Sequence, residues 1–250
     1  MCIRDSNTIE LGAASGYFGS EANFGRILAQ NASYYKLGRN WVLARSTRIG
    51  VEMPYGAPCS TISTTTGACP TEVKASGYVP LPERFFVGGS NSHRGFAINQ
   101  AGPRDPDSGA PLGGNAMFVN NIELRLPPVP LALVHGNLSF VLFHDIGNAF
   151  GTANEMWKNL DRFSQRNQAS CRDLSLTATC DFSYMSQAVG VGVRYHTPLG
   201  PVRVDFGYNL NPPTFPVKDP CSGVTGTCTS IPNVEEVHHF NFYFSLGQTF

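Results

Sequence analysis

Strict alternation between apolar and small or polar side chains recurs along this chain, and no other feature limits its fold as sharply. In 202–210, Val202, Val204, Phe206, Tyr208 and Leu210 fall on one face, and Arg203, Asp205, Gly207 and Asn209 on the other. In 237–250, Phe240, Phe242, Phe244 and Leu246 oppose His239, Asn241, Tyr243 and Ser245. In 186–197, Val189, Val191, Val193 and Tyr195 oppose Ser186, Ala188, Gly190, Gly192, Arg194 and His196. A period of two belongs to a strand, whose successive side chains point to opposite faces. The strand candidates are 7–15, 22–35, 41–50, 114–126, 137–147, 183–197, 202–210 and 237–250. The chain is expected to be all-β.

A sandwich and a membrane barrel both show this alternation, so the connections have to decide between them. Short links at 36–40, 127–136 and 198–201 alternate with long loops at 51–113, 148–182 and 211–236; the hairpin tip at 16–21 is the one short link on the long-loop side. Outer-membrane barrels sort their connections in this way, with tight periplasmic turns and long extracellular loops. The candidates also meet the roughly 9–11 residues a tilted strand needs to cross a bilayer, whereas globular strands are nearer 5–6. Composition agrees. Only 14% of residues are charged, against roughly 25% in soluble domains. No run approaches the roughly 18 apolar residues of a membrane helix. With 18 basic against 18 acidic residues there is no electrostatic case for nucleic acid. The expected fold is a transmembrane antiparallel β-barrel whose polar, glycine-rich faces line a lumen. Arg194, Arg203, Asp205 and Glu123 then sit inward, as they must if a cation forced onto the lipid face costs about 2–4 kcal/mol near mid-bilayer. Two strands fit this register less well: Arg26 lies on the apolar-looking face of 22–35, and Arg45 and Arg48 lie on opposite faces of 41–50.

Residues 1–6, Met-Cys-Ile-Arg-Asp-Ser, lack the apolar run of a signal peptide. They resemble the translation of a transposon-end adapter used in sequencing libraries and are set aside, Cys2 included, leaving 7–250 as a piece of a barrel. The other six cysteines pair off by loop: Cys59 with Cys69, Cys171 with Cys180, and Cys221 with Cys228. No C-x-x-C or histidine pair stands at zinc spacing, so three local disulfides are expected and no metal site. Disulfides need an oxidising compartment. All three fall on the side that loop length marks as extracellular, and each would restrain its unfolded loop by under about 3 kcal/mol.

At 83–96 the chain reads Glu83-Arg84-Phe85-Phe86-Val87-Gly88-Gly89-Ser90-Asn91-Ser92-His93-Arg94-Gly95-Phe96. Gly113-Gly114-Asn115-Ala116 then leads into a strand carrying Glu123, followed by Phe143-His144-Asp145-Ile146-Gly147-Asn148. Next comes Gly190 to Asp205, with Arg194, Thr197-Pro198, Gly200-Pro201 and Arg203, and the chain ends on Phe242, Phe244, Leu246, Gly247 and Phe250. In this order the segments resemble the BamA/TamA family of bacterial surface-antigen barrels, which assemble or translocate outer-membrane proteins. The first corresponds to the family's Gly-Gly…Arg-Gly-Phe loop and the last to its terminal-strand signal. The resemblance covers 7–250. It departs at His93, where the family carries an aliphatic residue.

The resemblance implies a sixteen-stranded barrel of which these are the last eight strands, preceded by periplasmic POTRA domains and lying in the outer membrane. It implies that the loop folds into the lumen, where Arg94 meets Glu123 and Asp145, with Gly88, Gly89 and Gly95 shaping the backbone and Phe96 as an apolar anchor. From spacing alone Arg94 reads more readily as a solvated loop charge. It also implies unfolded outer-membrane proteins as substrates, periplasmic chaperones and accessory lipoproteins as partners, the lipid bilayer as surroundings, and no cofactor. An incoming strand would pair at the seam between the first and last strands. Two other readings stay open: a TamA-like translocation module and a passive surface-antigen or pore barrel.

Enzymatic readings find little support. There is no G-x-S-x-G or Walker loop and no distinctive nucleophile. Asp105-Pro106-Asp107-Ser108-Gly109 hints at a calcium loop, but Gly109 is one place early and no glutamate closes it, so turn chemistry is expected. His238 and His239 are adjacent, and on a strand they point apart.

Overall fold

The computed structural model describes residues 2–38, 40–56, 78–106, 108–129, 138–171, 180–197, 200–218 and 232–246. Eight strands form one sheet: β1 (Cys2–Ala14), β2 (Phe24–Lys36), β3 (Val42–Pro54), β4 (Ala116–Arg125), β5 (Leu138–Phe150), β6 (Ser186–Thr197), β7 (Gly200–Asn209) and β10 (Phe240–Leu246). Their order in the sheet is β1-β2-β3-β4-β5-β6-β7-β10. Every neighbouring pair is antiparallel. This is an up-and-down meander, and no described pairing joins β1 to β10. A separate hairpin, β8 (Thr214–Lys218) with β9 (Pro232–Glu236), rises from the long connection after β7. Two short helices, α1 (Ala153–Lys158) and α2 (Gln168–Cys171), occupy the connection after β5. No helix among the described residues is long and apolar enough to cross a membrane.

All eight strand candidates are present, with shifted ends. β3 runs on to Pro54 and β5 to Phe150, each into a segment expected to be loop. β1 begins at Cys2, because residues 4–6 continue the ladder against Ala32–Tyr34 of β2. Extended backbone beside an open strand edge pairs whatever its side chains. The helices and the β8–β9 hairpin lie within connections expected to be irregular.

The sheet is inside out relative to a soluble one. Its outward side chains are apolar and exposed: Val191 and Phe206 at 50% each, Phe244 at 61%. Its inward positions are polar and buried, among them Asn121, Glu123, Asp145, Arg203, Asp205 and Asn209. A sandwich buries its apolar faces against each other. Here they line up across strands facing away from the protein, and Phe206 lies 5.2 Å from Phe242 between ring centroids.

The inner face is covered by the connection between β3 and β4. In that connection, Phe85, Val87, Phe96 and Ala101 pack on Met117 and Val119 of β4 and Ala149 of β5. This packing accounts for the two strands that fit the register poorly. Phe24, Arg26 and Leu28 of β2 do face inward. Leu28 packs against the same apolar cluster, and the Arg26 guanidinium sits 4.7 Å over the Phe85 ring and 3.6 Å from Glu52. An inward face looks apolar wherever loop rather than water lies on it. On β3, Arg48 points inward and donates to the carbonyl of Asn91, while Arg45 points outward and binds Thr47 on its own face. Arg45 is three residues from the turn, where the membrane penalty fades.

An arginine at position 191, mid-strand and outward, should destabilise the barrel by about 2–4 kcal/mol. The V191R variant would be compared with V191L by urea unfolding from lipid vesicles, and equal midpoints would take the outward face out of the hydrocarbon.

Candidate functional site

The site grows from a tight reversal in the β3–β4 connection. Val87 pairs with Ala101, whose N–H donates to the Val87 carbonyl at 2.9 Å, and Gly89 N–H donates to Phe96 O at 2.9 Å. Between them Gly88 has φ 125° and Gly89 φ 97°, a region open chiefly to glycine. A Cβ on Gly88 would also lie 2.4 Å from the Ala97 carbonyl oxygen. Residues 90–95 are thereby pushed against the sheet, and Arg94 becomes the largest fully buried side chain, 2% exposed.

Arg94 meets three strands at once. Its Nε and one terminal nitrogen donate to the two oxygens of Asp145 on β5, each at 2.7 Å. The other terminal nitrogen donates to Glu123 on β4, at 2.7 Å, and lies 3.8 Å from Asp205 on β7. The Arg94 backbone N–H also donates to Asp145, at 2.9 Å. The guanidinium lies 3.5 Å over the Phe143 ring, so both its edge and its face are engaged. Burial opposes this charge, but Asp145, Glu123 and Asp205 outweigh it and hold the Arg94 pKa above the ordinary arginine value. The acids have further cations: Arg125 at 3.1 Å and Arg194 at 3.6 Å from Glu123, and Arg194 and Arg203 on Asp205.

The rest of the motif binds the remaining strands. Asn121 of β4 donates to Ser92 O at 2.6 Å and to Asp145 at 2.8 Å. Gly95 N–H donates to Nδ1 of His93 at 3.1 Å, which leaves Nε2 to carry the proton donated to Ser186 O of β6 at 3.0 Å. Asn209 of β7 and Asn241 of β10 both donate to Gly95 O, each at 2.9 Å, and Tyr243 of β10 donates its hydroxyl proton to Phe96 O. Gly95 is required by close approach, since a Cβ there would meet Ala188 at 2.8 Å; at Gly207 a Cβ would lie 2.2 Å from Arg94 O. Every strand from β4 through β7, and β10, thus holds this short segment.

Gly88, Gly89, Arg94, Gly95, Phe96, Glu123 and Asp145 come together in one knot, Phe96 being 1% exposed in the apolar cluster beneath it. Of the terminal-strand residues, Phe242, Phe244 and Leu246 face outward and take no part, and Gly247 and Phe250 lie outside the described residues. A disulfide joins Cys171 to Cys180; the Cys59–Cys69 and Cys221–Cys228 pairs lie outside the described residues. Asp105 accepts from the N–H and hydroxyl of Ser108, at 2.9 and 2.6 Å, which is turn chemistry. Among the described residues no group of three or more His, Cys, Asp or Glu side chains could hold a metal ion. Sequence reasoning missed Asp205, Asn209, Asn241, Tyr243, Asn121 and Phe143 as members of the site. Their inward alternation was the available signal. His93, which had looked like an incidental departure, is fully buried and bridges the loop to β6.

A model of the Omp85 superfamily domain matches residues 6–250. The outer membrane protein assembly factor BamA of Nitratidesulfovibrio vulgaris is 26% identical over 238 residues, covering 94% of this chain and 22% of that protein. The same-named factor of Neorickettsia risticii is 27% identical over 133 residues, covering 53% of this chain and 14% of that one. This chain therefore spans about a fifth or less of the length of these relatives. Among solved structures, BamA from Haemophilus ducreyi lacking POTRA domains 1–3 superposes with a TM-score of 0.58 at 19% identity, covering 96% of this chain and 37% of that chain. At that identity the likeness speaks for the fold.

Burial lowers the His93 pKa below its ordinary value, although Asp145 and the Ser186 carbonyl work against the shift. The unfolded chain therefore takes up this proton first as pH falls. The imidazole's contribution is complete above the unfolded value of about 6.5 and is lost as pH drops toward the lower folded value. Wild-type barrel should lose more stability between pH 7.5 and 5.5 than H93V, read from paired thermal unfolding curves; parallel losses would remove His93 as the titrating group.

Proposed function

The chain belongs to the Omp85 superfamily, and from that premise we propose that it is the seam-bearing part of an outer-membrane protein assembly factor. The protein resides in the bacterial outer membrane, as its family does. In this reading the barrel carries out no covalent chemistry. Its substrates are unfolded outer-membrane proteins, delivered by periplasmic chaperones and handled with accessory lipoproteins. Insertion proceeds by strand addition: an incoming segment pairs with an open backbone edge, and main-chain hydrogen bonds template it without an energy source.

The observation that carries this reading is the buried Arg94 knot against β4, β5 and β7, beside the terminal strand. A pore built only to conduct would gain nothing from filling its inner face with a loop held by charges on three strands. The arrangement suits a wall that keeps its shape while one end opens. Segment β10 is the candidate working strand. It pairs with β7 on one side and has no strand on its other edge among the described residues.

Full-length protein carrying R94A should fail to restore outer-membrane protein levels in a strain depleted of the native factor. Removing one partner of a buried pair costs about 3–5 kcal/mol, so heat-modifiable mobility of the variant on gels has to be read alongside. R94K, which keeps the charge and loses the bidentate fork, should be intermediate. Normal outer-membrane protein levels with R94A would sink the role given to the knot. Sequencing the source DNA upstream of residue 7 would separate the close alternatives. POTRA repeats and eight further strands would support an assembly or TamA-like translocation barrel, and a signal peptide leading straight into Asn7 would favour a passive pore.

A further inference from the structure

We infer that Asn241 and Tyr243 form a latch through which the docked lumen loop holds the terminal strand, so that loop docking and retention of β10 are one coupled equilibrium. The consequence for assembly rests on the seam reading above; the latch itself does not.

β10 ends the sheet, with a neighbouring strand on one side only among the described residues. Its ladder to β7 runs from Phe240 opposite Tyr208 to Leu246 opposite Val202. Its outward side chains are exposed, Phe240 at 79% and Leu246 at 74%, and lipid solvates them whether or not the strand stays paired, so they add little to its retention. What remains is the inner face. There Asn241 donates to Gly95 O at 2.9 Å, and the Tyr243 hydroxyl donates to Phe96 O.

These two carbonyls are not free to follow the strand. The Gly95 oxygen also accepts from Asn209 of β7 at 2.9 Å, so one carbonyl oxygen takes a proton from each of two neighbouring strands. The segment that carries both carbonyls is pinned at its other end by Arg94, whose backbone N–H and side chain bind Asp145 on β5. Opposite Asn241 stands Gly207, whose missing side chain is what lets the Arg94 carbonyl lie on the wall, and opposite Tyr243 stands Asp205, which faces the Arg94 guanidinium. The loop thus crosses the β7–β10 boundary at the place where its own charge is neutralised. If β10 swings away, each of the two loop carbonyls loses one of its two donors, Gly95 O keeping Asn209 and Phe96 O keeping the Gly89 N–H. If the loop lifts, β10 loses both of its bonds to the loop. Either motion makes the other easier.

The experiment is amide hydrogen exchange on the full-length protein in lipid nanodiscs, comparing wild type with Y243F, N241A, R94K and, as a control far from the latch, N31A on β2. Y243F removes one hydroxyl and leaves the ring, so the barrel is retained. Exchange across 240–246 should quicken several-fold to roughly tenfold in Y243F and N241A, and should quicken in 93–101 as well. R94K touches no atom of β10, yet it should quicken exchange in 240–246; N31A should not. If R94K loosens the loop and leaves 240–246 at the wild-type rate, the coupling is wrong. If Y243F and N241A leave both segments unchanged, the bonds do not hold the strand and the latch is wrong. Outer-membrane protein levels supported by Y243F are measured separately. Coupled exchange with normal assembly would keep the latch and count against the seam reading alone, and uncoupled exchange with impaired assembly would do the reverse.

Discussion

A guanidinium withdrawn from water has to be met by carboxylates in the same place, and at Arg94 those come from three different strands. Asp145, Glu123 and Asp205 belong to β5, β4 and β7, and they converge only if the register across that part of the sheet is correct. A one-residue slip of any of these strands would turn its acid toward lipid. The pair is therefore better understood as a specification of alignment than as a store of stability. A buried ion pair gains little over well-packed apolar residues, while breaking one is costly. The surrounding arginines, Arg125, Arg194 and Arg203, follow from the same constraint, since acids gathered to receive one loop cation would repel one another without them.

Inversion of the usual amphipathicity follows from the two solvents the sheet divides. Outward positions carry mostly Val, Leu and Phe because hydrocarbon penalises unpaired polar groups, and the polar ones there are paired with each other, Asn120 with Thr47 and His144 with Gln187. Inward positions are free to be charged because the protein itself completes them. The loop does part of that completing. Where it lies on the wall through Phe85, Val87 and Phe96, the inner face turns apolar at Leu28, Met117 and Val119; where its motif brings Arg94 and bare carbonyls, the inner face turns acidic and amide-rich. One segment of loop thus determines which kind of inward residue each strand carries. The approach of backbone to backbone that this requires is possible because glycine stands at the contact points, Gly88 in the loop and Gly207 on the wall.

Much of this was legible beforehand. Alternation placed all eight strands of the sheet, and the order of the motifs pointed to Arg94, Glu123 and Asp145 as one group. Asp205 was assigned inward but not to that group, because an inward acid that binds the loop and one that binds a neighbouring arginine look alike in sequence. Asn209, Asn241 and Tyr243 read as ordinary lumen residues, since their partners lie 114, 146 and 147 positions away. Arg26 looked misplaced because the pattern cannot say that Phe85 would cover it. The β8–β9 hairpin escaped notice: its strands are short, β8 carries Pro216 and β9 opens on Pro232, and neither shows a clean apolar face.

By itself the sequence determined the class of structure, the side of most strands that meets lipid, β2 and β3 excepted, and the sorting of long loops to one end. These are local properties: side-chain period, the chemistry of each face and the spacing of turns are all written within about a dozen neighbouring residues. The tertiary structure alone decided which inward groups the loop would bind, that His93 would bridge to β6, and that the terminal strand would be tied to the same short peptide as Asp145. Those pairings depend on strands far apart in the chain reaching a common register around a loop that folds back onto them. No local pattern encodes the meeting of three carboxylates and two amides at one point, because what brings them together is closure of the contacts on all strands at once.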